Sequence, residues 1–205
     1  MRERNPQSPF HLGIGYDYGK FISYEIEEKI TGRLAGTPHD YGVLAEAVLQ
    51  SGGGSWADIG VLYGGSALVM AKTLQFFGLE GRVYAIDPLD GYYGQVVDPP
   101  VSRDVFGGNI RRMGAGEIIS IVQAKSRPWP IQEPLIGAYI DGDHSGTAPL
   151  EDFASIRRAG AKWAVFDNYD KTSPDVRRAV MNAASSFDLV HLSSITAVLE
   201  RKDAN

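Results

Sequence analysis

The stretch Trp56-Ala57-Asp58-Ile59-Gly60-Val61-Leu62-Tyr63-Gly64-Gly65-Ser66 decides how the rest of the chain is read. Trp56 to Gly60 has the character of a buried strand, the glycines break it, and Ser66 to Phe77 has a helical pattern. Glycines after a strand let the backbone turn tightly and approach a ligand, and the helix behind them offers free N–H groups to an anionic group. A tight turn without a ligand would use the same residues. The dinucleotide pattern G-x-G-x-x-G is not met; the loop reads acid-x-Gly-x-x-x-Gly-x-Ser.

Outward from this loop, strand and helix patterns alternate. Arg82 to Asp87 reads as a strand ended by Pro88, Arg103 to Met113 as a helix, and Ile118 to Gln123 as a strand. Ile136 to Ile140 is a further strand, Pro149 to Arg158 a helix, Trp163 to Phe166 a strand and Pro174 to Ser186 its helix. Phe187 to Leu192 and Ile195 to Glu200, around Ser193-Ser194, predict a closing antiparallel hairpin. Such alternation implies an α/β domain with a mostly parallel sheet covered on both faces. Toward the N-terminus, Thr37-Pro38-His39-Asp40 predicts a helix start with Pro in the first turn, leading into Tyr41 to Gln50. Ser23 to Ile30 predicts a short helix, and residues 1–20, rich in Pro, Gly and aromatics, read as an irregular arm that wraps the domain or meets a partner. Residues 1–50 are thus expected to be an arm and helices packing on the core, and 51–205 the ligand-binding domain, with a homodimer or higher homo-oligomer as the expected assembly.

Composition narrows the function. The 205 residues are 43% hydrophobic with a formal net charge of −5. No basic field is available to hold a nucleic acid, and no segment approaches the roughly 18 apolar residues of a membrane span. A cytoplasmic enzyme acting on a small molecule is the expectation. The chain has no cysteine, which excludes disulfides, thiolate nucleophiles and sulfur-ligated zinc, so any metal must sit on oxygen or histidine.

Ligands in such sheets collect at the carboxyl ends of the strands, and there the chain puts its unusual residues. Asp87 ends the second strand, where an acid can accept both hydroxyls of a ribose; Asp87-Pro88 is equally a turn former. Ile140-Asp141-Gly142-Asp143-His144-Ser145 ends one strand and Phe166-Asp167-Asn168-Tyr169 the next. Oxygen donors from adjacent strand ends suit a hard divalent cation such as Mg²⁺, although Asp and Asn also form turns at strand ends. Asp143 is a candidate ligand, base or support for His144. His144 can act as a base near neutral pH or merely cap the helix that follows. The loop Gly91-Tyr92-Tyr93-Gly94, with Tyr16, Tyr18 and Tyr169, could wall an acceptor, or could be packing.

Asp58, Gly60, Gly64 and Ser66 closely resemble the first motif of class I S-adenosylmethionine-dependent methyltransferases, and Ala67 to Leu74 continues the resemblance to catechol-type O-methyltransferases. The resemblance covers about Gly52 to Lys202 and implies a Rossmann-like methyltransferase fold, a mostly parallel seven-stranded sheet with a C-terminal antiparallel hairpin. It implies that Gly60 and Gly64 pass close to the methionine part of the cofactor, that Ser66 bonds the cofactor carboxylate, and that Ser126 meets the adenine. The strand ends resemble those of the cation-dependent O-methyltransferases and of the small methyltransferases of sugar and macrolide pathways. That resemblance carries metal-ligand roles onto Asp141, Asp167 and Asn168, with Asp141 lying between metal and cofactor, and sets His144 where the catechol-type enzymes carry a lysine base. The implied activity is metal-dependent O-methylation of a diol, sugar or catechol-like hydroxyl. A nicotinamide-dependent oxidoreductase, a nucleic-acid methyltransferase and a non-catalytic methyltransferase-like module are the alternatives; the glycine spacing argues against the first and the acidic balance against the second.

Overall fold

In a computed structural model, which describes residues 10–92, 95–170, 172–193 and 195–202, the elements follow in the order α1 (Ile14–Lys29), α2 (Pro38–Gln50), β1 (Trp56–Ile59), α3 (Gly65–Phe76), β2 (Val83–Asp87), α4 (Arg103–Arg112) and β3 (Ile119–Gln123). After them come β4 (Gly137–Ile140), α5 (Ala148–Arg158), β5 (Trp163–Phe166), α6 (Pro174–Ala183), β6 (Phe187–Leu192) and β7 (Ala197–Arg201). The strands form one sheet in the order β3-β2-β1-β4-β5-β7-β6. β1 to β5 run parallel; β7 pairs antiparallel with β5, and β6 with β7, which is the hairpin that the sequence predicts. Ser194 lies outside the described residues, as do residues 1–9, Tyr93 and Gly94.

Burial explains why the central strands read as short apolar runs. Every residue of β1, β4 and β5 is buried, because helices cover both faces, whereas the edge strand β6 has exposed positions. One face, with Trp56, Tyr139, Trp163 and Val165, packs against α1 to α4. The other, with Ile59, Ile140 and Phe166, packs against α5 and α6 through Phe153, Ile156 and Val180. The segment 124–136 crosses from β3 to β4 without a helix.

The N-terminal region differs from the expectation of an irregular arm through residue 20. α1 begins at Ile14, and the predicted helix at Ser23 is only its second half. Glycines and aromatics hid the helical period, and the partner helix gives the reason for them. A Cβ on Gly19 would stand 2.4 Å from the Tyr41 carbonyl oxygen and 2.6 Å from the Ala45 Cβ, so glycine permits the close crossing of α1 over α2. Gly13 at the start of α1 supplies no side-chain cap; instead the carboxylate of Glu46, on α2, accepts from Gly13 N (3.1 Å) and Tyr16 N (2.8 Å). α2 carries a capping box: Asp40 N donates to Thr37 Oγ1, and Thr37 N donates to Asp40 Oδ2 at 2.9 Å. Tyr16 and Tyr18 are packing residues, not acceptor walls. The Tyr16 hydroxyl meets His39 Nδ1 at 2.8 Å, and Tyr18 stacks on Phe76. Among the described residues no helix is long and apolar enough to cross a membrane.

Candidate active site

The chain runs outward in both directions from β1 and β4, so the crossover loops diverge there and leave a cleft at the carboxyl ends. The cleft measures about 710 Å³ and takes in Gly60, Leu62, Asp87, Tyr92, Ser126, Arg127, Asp141, Asp143, His144, Asp167 and Asn168. Asp90 and Glu151 add to its acidic wall, against Lys125 and Arg127.

The β1–β2 side is closed by its own hydrogen bonds. Asp87 Oδ2 accepts from Val61 N (2.8 Å) and Leu62 N (3.3 Å), and Oδ1 accepts from Leu89 N (2.7 Å). The loop amides are therefore turned to an internal carboxylate, and with three donors already bound the carboxylate keeps one lone pair, on Oδ1. Gly60 has φ +87°, and a Cβ there would stand 2.2 Å from the Asp141 carbonyl oxygen, so the loop can lie against the end of β4 only as glycine. Gly64 caps α3 in the left-handed region, with the Phe106 ring 2.2 Å from where its Cβ would be. Leu62 is left-handed without being glycine, a strained residue at the cleft wall. Asp58 is fully buried and accepts from Ser66 Oγ at 2.7 Å, while its other oxygen has no hydrogen-bond partner among the described residues. Burial, with Asp87 nearby, pushes the Asp58 carboxyl up to about 8.

The β4–β5 side is strained electrostatically. Asp141 follows β4 and Asp167 follows β5, and the two carboxyls interact. Burial pushes both up to about 8; for Asp167 the Asp141 charge adds to it, and Asp40 acts on both. Asp167 Oδ1 is buried without a hydrogen-bond partner among the described residues. Asn168, left-handed at φ +54°, lines the same wall. His144 Nε2 lies 3.3 Å from Asp141 Oδ1, and burial lowers the imidazole below its ordinary value. A neutral imidazole at neutral pH follows. Asp143 does another job: its Oδ1 accepts from Ser145 N (2.9 Å) and Ser145 Oγ (2.6 Å), and its Oδ2 faces Arg127 at 3.8 Å. The Ser145 hydroxyl above all holds its carboxyl below the ordinary range, which makes Asp143 a poor proton acceptor and a turn anchor.

The fold thus brings Gly60, Asp87, Ser126, Asp141, Asp143, His144, Asp167 and Asn168 to one cleft. Asp58, Gly64 and Ser66 sit beneath it, and the Ser66 hydroxyl is directed at Asp58 rather than outward. Among the described residues no three His, Asp or Glu side chains gather as a metal cluster, so the candidate set is two carboxyls and an amide. Sequence reading missed Arg127, which pairs with Glu151 at 2.8 Å and ties the β3–β4 crossing to α5. It also missed the buried polar layer behind the acids. There Asp40 accepts from Thr196 Oγ1 at 3.0 Å, and burial, with the nearby acids adding to it, raises the Tyr41 and Tyr139 hydroxyls above their ordinary values. Neither set carries a motif, because its members are distant in sequence.

No protein-family model matches the sequence, and a search of curated proteins finds no match. Solved structures do match. Cofactor-bound Rv0187 from MTB aligns with a TM-score of 0.63 at 16% identity, over 92% of this chain and 90% of that one. The O-methyltransferase NovP gives 0.65 at 15% identity, over 93% and 98%. The O-methyltransferase from Bacillus cereus, in complex with SAH, gives 0.58 at 15% identity, over 92% and 91%. With its seven strands in this order and its cleft at the β1/β4 reversal, the chain has the Rossmann-like fold of the class I methyltransferases.

Proposed function

We propose that the protein transfers the methyl group of S-adenosylmethionine to a hydroxyl oxygen of a small molecule, with a divalent cation held by Asp141, Asp167 and Asn168. The observation that carries the cofactor reading is the acidic cleft whose loop amides already bond Asp87. A dinucleotide needs those amides for its pyrophosphate and would bring two negative charges to an acidic wall. S-adenosylmethionine has no phosphate, and its sulfonium and ammonium are cations. Asp87 can accept a ribose hydroxyl on the remaining lone pair of Oδ1, Ser126 lies where the adenine would reach, and Gly60 lets the sulfonium end pass close to the backbone. The O-methyltransferases among the similar structures favour oxygen as the acceptor atom.

The cation reading rests on two interacting carboxyls, Asp167 buried and Asp141 half-buried, and on the unpartnered Oδ1 of Asp167. Two acids forced together out of water need a proton or a cation between them, and two carboxylates with an amide are a donor set for a hard ion. Such an ion, when bound, would lower the pKa of an acceptor hydroxyl. The chain's own residues do the rest. Asp141 and Asp167 hold the acceptor end of the cleft, and the neutral imidazole of His144 takes the acceptor's proton. Asp143, through Ser145 and Arg127, fixes the turn that carries His144. Since a sulfonium methyl is already activated, alignment of the acceptor oxygen with the S–CH₃ bond supplies most of what remains.

Calorimetry with S-adenosylhomocysteine and with NADH, each with and without Mg²⁺, tests the reading. Expected is S-adenosylhomocysteine binding that stabilises the fold by about 2.7 kcal/mol at a hundredfold excess over its Kd. Binding of NADH alone would overturn it. Full methyl transfer in excess EDTA, with a verified acceptor, would remove the cation and leave the rest.

A further inference from the structure

Beside the cleft lies a second hollow, which the proposed reaction does not use. It measures about 320 Å³, within the range of small-molecule sites, and is lined by Arg33 from the α1–α2 connection, Leu62 from the glycine loop, and Tyr92, Val97 and Asp98 from the β2–α4 loop. Leu62 and Tyr92 also line the cleft, so the two spaces share a wall. The Arg33 guanidinium stands over the Tyr92 ring, 5.9 Å from its centroid. Among the described residues neither Arg33 nor Asp98 makes an ion pair.

Opposite charges on one hollow decide what it can take. A cation would be attracted to Asp98 and repelled by Arg33, and an anion the reverse, so neither gains a net field. Hydroxyl groups match both side chains, because a guanidinium only donates hydrogen bonds, a carboxylate only accepts them, and a hydroxyl does each. Leu62, Val97 and the Tyr92 ring meanwhile offer apolar surface to the C–H face of a ring. We propose that this hollow is a second acceptor subsite, taking an uncharged, hydroxyl-bearing ring remote from the oxygen that is methylated, with Arg33 and Asp98 selecting for it. Its role as an acceptor subsite rests on the methyltransferase reading; the binding of the ring does not. Contacts to this non-reacting ring would orient the acceptor and appear mainly in its affinity.

The test uses p-nitrophenyl β-D-glucoside, β-D-galactoside and α-L-rhamnoside as probes, with p-nitrophenyl phosphate as the anionic counterpart. Methyl NMR spectra are followed at Leu62 and Val97, with and without saturating S-adenosylhomocysteine. At least one glycoside should shift both residues while the phosphate does not. Arg33→Ala and Asp98→Ala should each weaken that glycoside by about fivefold, the effect of one hydrogen bond, and leave S-adenosylhomocysteine affinity unchanged. Failure of S-adenosylhomocysteine to bind would remove the reading of the cleft, whereas glycoside shifts at Val97 in its absence would still support the subsite. The subsite is overturned if no glycoside shifts Val97, if the phosphate binds more tightly than the glycosides, or if both variants bind as the parent does.

Discussion

The two sides of the cleft are built on opposite electrostatic terms. On the β1–β2 side Asp87 is an acid among donors: three backbone N–H groups reach its carboxylate. On the β4–β5 side Asp141 and Asp167 are acids among acids, backed by Asp40 and Asp58. The first side is complete before any ligand arrives, which suits a cofactor pocket that should not reorganise on binding. Among the described residues no lysine or arginine pairs with Asp141 or Asp167, and like charges held out of water are relieved only by a proton or a cation. A side that supplies shape thus stands next to a side that supplies affinity for charge.

Substitutions on the acid-rich side should affect chemistry far more than cofactor binding. Asp167→Ala should abolish the response of S-adenosylhomocysteine-bound protein to Mg²⁺ and cut turnover by several orders of magnitude, with S-adenosylhomocysteine affinity nearly intact. Equal loss of both in titration calorimetry would break the division between the two sides. His144→Ala should lower the rate by about 10²–10⁴-fold and remove the rise in turnover that accompanies deprotonation of a base titrating below the ordinary histidine range. A pH profile unchanged in shape would make His144 a cap.

On the donor-rich side the effects should be on folding and cofactor binding together. Gly60→Val puts a branched side chain at φ +87° against the Asp141 carbonyl, and should cost about 3 kcal/mol in denaturant unfolding along with S-adenosylhomocysteine binding. Retention of both would mean that the loop and β4 can separate freely.

A separate effect, seen without any ligand, is on the pH dependence of stability. Asp58 titrates near 8 in the fold and near 4 when unfolded, so between these values the folded state holds a proton that the unfolded state has released. Stability of the ligand-free protein should fall as pH rises through that window and level off above it. Asp58→Asn, which still accepts from Ser66, should make the fall shallower, so that its Tm gains on the parent's as pH rises from about 5 to about 8. A parallel pair of curves for parent and variant would show that Asp58 is already ionised at neutral pH.

Most of the sheet was legible in the chain because buried strands and amphipathic helices repeat at short range. Trp163 to Phe166 is the strand the sequence predicts, and the Thr37-Pro38 start leads to α2. The glycine loop, Asp87 and the two strand-end acids could be picked out for the same reason: each is a local signal at the end of an apolar run. What lay between distant segments could not be read. α1 was obscured because Gly15 and Gly19 serve contacts with α2, and its N-terminal donors are satisfied by Glu46, some thirty residues onward. Ser66, expected to meet the cofactor, turns to Asp58, because a fully buried carboxyl takes the nearest hydroxyl. Asp143, a candidate base by position, is bound by Ser145 and Arg127. Local pattern determined which residues end the strands, since periodicity and turn chemistry act over a few residues. Only the tertiary structure decided which of those residues keep a free lone pair or a perturbed proton, since burial and through-space charge are set by chain segments that sequence order does not bring together.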